Sequence, residues 1–150
     1  MDDWRARLLT SSDAIARVVR ASRRIAVLGI KTEAQAHKPA FYVPEYLLGQ
    51  GYDVVPVPVY YPDVTTILGR PVYRSVSGVP GPVDIVSVFR RPEHVPPYLP
   101  DLLAARPRVV WFQLGITHDE AAETLVRAGI KVVQDRCLMV EHRQLRPQGG

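Results

Sequence analysis

Short apolar runs alternate with helical periodicities along the chain. Residues 25–28 are four consecutive apolar positions closed by Gly29, the pattern of a strand buried on both faces. Residues 54–59 are apolar and β-branched but carry Pro56 and Pro58, which predicts a strand with an unpaired side or an early end. Residues 83–89 and 109–114 read as two further strands, and 130–133 as the last. Between them, 41–48 has a helical pattern with Gly49 and Gly51 as stop signals; Pro44 suits that helix only near its first turn. Residues 93–105 predict a helix weakened by Pro96, Pro97 and Pro100. Another starts at Thr117, whose hydroxyl and Glu120 predict a capping box, and stops at Gly129. A short helix is expected over 138–145. Both ends read as trim, an amphipathic helix at the start and a frayed 146–150 tail.

Strand–helix alternation with near-continuous apolar strands predicts an α/β fold: a doubly wound, mostly parallel sheet of five or six strands with helices on both faces. Ligands of such sheets bind outside the carboxyl ends of the strands. That rule selects four loops, 29–39, 58–63, 89–92 and 113–117. The length of 150 residues suits one domain over 1–150, with its core at about 12–145. No apolar run approaches the ~20 residues of a membrane helix, and the start lacks the pattern of a signal peptide. A single cysteine, Cys137, excludes an intrachain disulfide and points to a cytoplasmic protein.

The net charge of +4 is mild, but 16 of the 19 cations are arginines, whose planar fork suits phosphate and carboxylate. The chain has no basic run, zinc pattern or aromatic RNA-binding signature, so an anionic small molecule accounts for the charge more simply than nucleic acid does. Neither nucleic acid nor membrane is expected as a partner; a protein partner or a homo-oligomer stays open.

Which anion is narrowed by the loops. A dinucleotide site reads G-x-G-x-x-G after the first strand, with an acid at the end of the second for the ribose. Here the first loop reads Gly29-Ile30-Lys31-Thr32-Glu33-Ala34, and Val59 or Tyr60 holds the place of the acid, which disfavours NAD. The loop still suits phosphate: Gly29 permits close backbone approach, Thr32 offers a hydroxyl, and Lys31 and Lys38 bring charge. A helix beginning near Pro39 adds its positive end. Arg90-Arg91-Pro92 follows the third strong strand, where two arginines can neutralise a pyrophosphate or 3′-phosphate, or form a surface ion-pair patch. Gly115, in Gln113-Leu114-Gly115, serves either ligand approach or the turn. Cys137 has only Arg136 beside it and His142 five residues on, a weak case for a nucleophile; the histidines lack metal spacing, and no nucleophile elbow or Walker loop occurs.

Five strings occur in order: Ile25-Ala26-Val27-Leu28-Gly29; Lys38-Pro39-Ala40; Val83-Asp84-Ile85-Val86 with Phe89-Arg90-Arg91-Pro92; Trp111-Phe112-Gln113-Leu114-Gly115-Ile116; and Asp135-Arg136-Cys137-Leu138-Met139-Val140-Glu141-His142. Together they resemble the stand-alone CoA-binding proteins related to the N-terminal domain of the succinyl-CoA synthetase α subunit. The resemblance implies a Rossmann-like sheet that holds coenzyme A, or an acyl-CoA, across its first three loops. It places Gly29, Lys31 and Thr32 at the phosphates and Lys38 near the 3′-phosphate, with Ile30 and Pro39 also among the cofactor-binding residues. Val57 and Pro58 would border the adenine, and Phe89, Arg90, Arg91 and Pro92 the nucleotide or pantetheine path. Gln113 and Gly115 would lie toward the thiol. The family's usual Asn-Pro at the second strand end is replaced in Pro56-Val57-Pro58-Val59, which removes one hydrogen bond near the adenine. The synthetases carry their phosphorylated histidine in a separate domain, so this chain is expected to bind CoA without turnover. The alternatives are a CoA-binding component of a ligase or transferase completed by another chain and, behind it, an NAD-dependent oxidoreductase.

Overall fold

The structure is a computed structural model that describes residues 3–145; the predicted frayed tail at 146–150 lies outside the described residues. Five parallel strands form one sheet: β1 (Arg24–Leu28), β2 (Asp53–Val57), β5 (Ile85–Val88), β6 (Val109–Phe112) and β7 (Lys131–Val133), in the order β2-β1-β5-β6-β7. A small antiparallel hairpin, β3 (Thr66–Ile67) and β4 (Arg70–Pro71), forms a separate two-stranded sheet. The helices are α1 (Ser12–Ala21), α2 (Pro39–Gly49), α3 (Leu99–Ala105), α4 (Asp119–Arg127) and α5 (Leu138–Arg143).

Alternate residues of each strand feed opposite faces. Ala26, Leu28, Val86, Val88, Val110 and Phe112 pack toward Leu102 of α3 and Ala121, Leu125 and Val126 of α4. Ile25, Val27, Ile85, Val109 and Trp111 pack toward Ile15 and Val19 of α1, Phe41 and Leu47 of α2 and Leu138 of α5. The sheet is therefore covered on both sides, which is why its strands read as unbroken apolar runs. Among the described residues no helix is long and apolar enough to cross a membrane.

Several boundaries differ from the sequence expectation, each for a local reason. Strand β2 ends at Val57 rather than Val59. It is an edge strand, and the hairpin region covers its outer side: Tyr73 N–H donates to the Pro56 carbonyl (3.0 Å) and Arg70 Nε to that of Val54 (3.0 Å). Pro56 thus lacks a donor only where the sheet does not use one. The predicted 93–105 helix is two 3-10 turns, Pro92–His94 and Pro96–Tyr98, followed by the shorter α3, because proline fits only at the start of each turn. Helix α4 begins at Asp119, not Thr117; His118 caps it through Nδ1, which accepts from Ala121 N–H at 3.1 Å, so the Thr117–Glu120 box does not form. The amino-terminal segment is not trim. Trp4 is buried, and Leu9 N–H donates to the Val132 carbonyl, lengthening the β7 edge.

Pro44 lies in the second turn of α2, not the first. There it withholds the N–H that would bond the Ala40 carbonyl, and Lys31 N–H takes that carbonyl instead at 3.1 Å. The proline that disturbs the helix so fastens the loop after β1.

Helix α5 is latched to α2 by His142, whose Nδ1 is hydrogen-bonded to the Tyr46 hydroxyl at 2.8 Å and whose ring meets Tyr46 and Tyr52 edge-on. Burial holds this imidazole below its ordinary 6.5. A histidine with a depressed folded value contributes stability above its unfolded value and loses it as pH falls through the folded one. Unfolding titrations should therefore show the difference between wild type and His142→Gln shrinking as pH falls below about 6.5; a difference independent of pH would remove this latch.

Candidate functional site

The chain leaves β1 toward β2 on one side and returns to β5 on the other, so the loops after β1 and β5 part in opposite directions. This is the switch point of the sheet, and the crevice lies between those loops. Its floor is a backbone contact. Gly29 has φ +88°, and a Cβ there would collide with the Phe89 carbonyl oxygen and stand 3.1 Å from its carbon. Gly29 N–H donates to the Val57 carbonyl (2.9 Å) and Phe89 N–H to that of Leu28 (2.9 Å), tying three strand ends together. The glycine thus serves loop-to-loop packing, and its N–H is already engaged.

Further ties set the rim. The Tyr61 hydroxyl donates to Gln35 Oε1, joining loop 58–63 to loop 29–39. Glu33 Oε2 accepts from Leu68 N–H at 2.8 Å, drawing the hairpin onto the same loop. Arg74 spans the second loop from outside, donating to the carbonyls of Tyr60, Tyr61, Pro62 and Val64 at 2.6–3.3 Å. Sequence reasoning missed Arg74, since an isolated arginine gives no sign of which carbonyls it will meet.

Arg90 occupies the centre of the mouth. Its guanidinium carbon stands 5.4 Å from the Tyr60 ring centroid and 5.6 Å from that of Tyr98, sandwiched between two π faces. Its hydrogen bonds are long, 3.5 Å to the Tyr60 hydroxyl and 3.4 Å to His94 Nδ1, at the outer limit for such contacts. Its Nε is buried with no partner. Tyr60 itself is exposed, and its phenol lies below the usual tyrosine value, first through the Arg90 hydrogen bond and then its charge, with smaller contributions from Lys31 and Arg91. Arg90 is the cation in contact with that phenol, and Lys31 and Arg91 act on it by charge alone. Among the described residues, none of Lys31, Lys38, Arg90 and Arg91 has a carboxylate within ion-pair distance.

The other expected residues are placed unevenly. Lys38 is the exposed cap residue of α2, with Pro39 in its first turn. Thr32 is half-buried and precedes a 3-10 turn (Glu33–Gln35), to which it gives no side-chain cap bond. Ile30, Val57 and Pro58 are buried, so their side chains belong to the packed wall and not to the rim. Phe89 is half-buried against the α2 side of the core, and Pro92 starts a 3-10 turn. Gln113 is buried; its amide donates to Ser87 Oγ (2.7 Å) and its Oε1 accepts from Leu138 N–H (3.3 Å), so both ends of the amide are engaged in structure. Gly115, at φ +85°, gives its N–H to Asp135 Oδ1 at 2.6 Å. Cys137 is half-buried beside the α5 start, against apolar neighbours. Tyr60, Tyr98 and His94 complete the mouth, and no sequence pattern marks them as site residues.

The close contact and the perturbed phenol can each be tested. Gly29→Ala should lower unfolding stability by at least about 2 kcal/mol, from the left-handed φ and the clash together, measured by urea unfolding; a neutral change would remove the loop contact. In a UV phenolate titration, Tyr60→Phe should delete a component that titrates below the ordinary tyrosine value, and Arg90→Gln should move that component upward.

Comparisons with known proteins give a consistent picture. Residues 23–143 match the family described as CoA binding domain. The Bacillus subtilis (strain 168) protein YneT, described as uncharacterized, is 32% identical over 132 residues, covering 88% of this chain and 94% of its own length. A Thermus thermophilus structure described as cell-free ID.343 superimposes with a TM-score of 0.83 at 41% identity, over 91% of this chain and all of that one. A hypothetical protein from Pyrococcus horikoshii OT3 gives a TM-score of 0.80 at 31% identity, over 91% of this chain and 92% of its own.

Proposed function

Since the chain belongs to the CoA-binding domain family, we propose that it binds coenzyme A, or a short acyl-CoA, in the crevice at the carboxyl ends of β1, β2 and β5, as a binding module without turnover of its own. The observation that carries this reading is Arg90: a guanidinium fixed between Tyr60 and Tyr98, its Nε buried and unpaired, with no carboxylate beside it. An orphaned buried donor costs free energy on the order of 1–3 kcal/mol, which a bound anion would recover once the Arg90 side chain turns that N–H outward.

The residues fit the group. Coenzyme A carries a diphosphate and a 3′-phosphate monoester, and a monoester alone brings about −1.5 to −2 charges. Lys31, Lys38, Arg90 and Arg91 supply four cations with no internal counter-charge. Lys31 and Arg90 would take phosphate oxygens at the crevice, and Lys38, at the start of α2, adds its charge to the positive end of that helix. Tyr60 and Tyr98 offer flat apolar faces to a base or a pantetheine arm. The bound group would supply the thiol; the chain supplies grip and orientation.

Thermal unfolding with CoA, acetyl-CoA, ADP and NAD, each at about 100 times its dissociation constant, tests this: a specific ligand then stabilises by about 2.7 kcal/mol. CoA should bind at least tenfold more tightly than NAD. Arg90→Gln and Lys31→Glu should each weaken CoA tenfold or more while leaving unliganded stability within about 1 kcal/mol. A shift with NAD and none with CoA overturns the reading, and so does acyl-CoA turnover by the isolated chain for its non-catalytic half.

A further inference from the structure

The opposite end of the sheet carries a second cationic concavity that the CoA reading does not use. It lies between α1 and the amino ends of β6 and β7, with a volume of about 230 Å³. Its floor is apolar: Ala14, Val18 and Ala21, on one face of α1, look across at Val109. The two alanines are too short to close the gap to the strands, which leaves the hollow open. Its rim is Arg17, Arg108 and Lys131. Lys131 stands opposite Val109 in the β6–β7 register, so both point to the α1 face.

The rim has a charge surplus. Among the described residues no carboxylate lies within ion-pair distance of Arg17 or Lys131. Arg108 reaches only Asp84 Oδ1, at 3.9 Å, while Asp84 Oδ2 is held by the N–H groups of Arg23 and Arg24 at 2.8 and 2.9 Å. A neighbouring hollow between α1 and α5 makes the contrast: it is lined by two carboxylates, Asp13 and Glu141, against one cation, Arg20, so acid outnumbers base there. The surplus at the first hollow is therefore a property of that place and not of α1 in general.

We propose that this hollow binds a small amphiphilic carboxylate, its head held by Arg17, Arg108 and Lys131 and its apolar tail laid on Ala14, Val18 and Val109. Arginine forks match a carboxylate bidentately. The volume is below the roughly 300–1,000 Å³ of pockets for drug-sized ligands, which favours a short acid over a peptide. The site is independent of CoA binding, since it lies at the other end of the strands.

Octanoate is the probe. In NMR titrations of the full chain, the signals of Ala14, Val18 and Val109 should shift saturably with octanoate and not with 1-octanol or acetate. Arg17→Glu and Lys131→Glu, both at exposed positions, should weaken octanoate at least tenfold and leave the CoA-induced thermal shift unchanged. Absence of saturable shifts below the micelle concentration overturns the proposal, as does equal binding of 1-octanol. Binding of a glutamate-rich peptide at this rim without octanoate binding overturns it as well. The CoA arm is read separately, so failure at one end is not mistaken for failure at the other.

Discussion

Everything at the carboxyl end of this sheet depends on how closely two backbones approach where the chain reverses its winding. Strand β1 has β2 on one side and β5 on the other, and both loops must leave from nearly the same point. Gly29 lets them do so: its α-carbon presses against the Phe89 carbonyl with no room for a side-chain atom. Beyond that contact Arg90 lies against Tyr60 and Tyr98, and the backbone of Lys31 is tied back to the Ala40 carbonyl. The crevice is less a cavity carved into the fold than the gap left when two loops that touch at their roots diverge.

Electrostatics then decides what the gap will accept. Parallel strands with buried faces leave few places for charge, and at this end Lys31, Lys38, Arg90 and Arg91 have no carboxylate within ion-pair distance among the described residues. The same chain pairs its charges elsewhere: Arg24 and Arg70 converge on Asp53, and Arg127 meets Glu123 one turn away. An arginine whose neighbours are two phenol rings and a histidine is held in position but not neutralised. Ring contacts hold the guanidinium without supplying it a counter-charge, and oxygen anions are the partners its N–H groups bind most strongly.

Much of this was legible in the chain. Unbroken apolar runs pointed to the parallel sheet, and their ends located the loops at its mouth. The arginine pair after residues 83–89 and the lysines after Gly29 then marked that mouth as cationic. Contacts made across sequence distance stayed hidden. Arg74 gathering four carbonyls, Tyr98 closing over Arg90, and Gln113 turning inward to Ser87 depend on which loop faces which. Local capping was misread at Thr117 because His118 competes for the same orphan N–H groups and lies one residue nearer. The hairpin at 66–71 was missed because two-residue strands carry almost no periodicity.

Pro44 shows how a local cost becomes an organising device. A proline in a helix interior costs about 3 kcal/mol or more when the carbonyl it frees stays unpaired. Here the freed carbonyl, that of Ala40, lies within reach of Lys31 N–H, so the lost helix bond is replaced by one that holds the loop carrying a phosphate-seeking lysine. A loop tied at Gly29, Lys31 and Gln35 has little freedom left to lose when an anion arrives, and lost freedom is a main cost of binding. Replacing Pro44 by a residue with its own N–H would restore competition for that carbonyl and slacken the loop without touching any group at the mouth. Helix α2 thus contributes its positive end and also the rigidity that lets the charges act together.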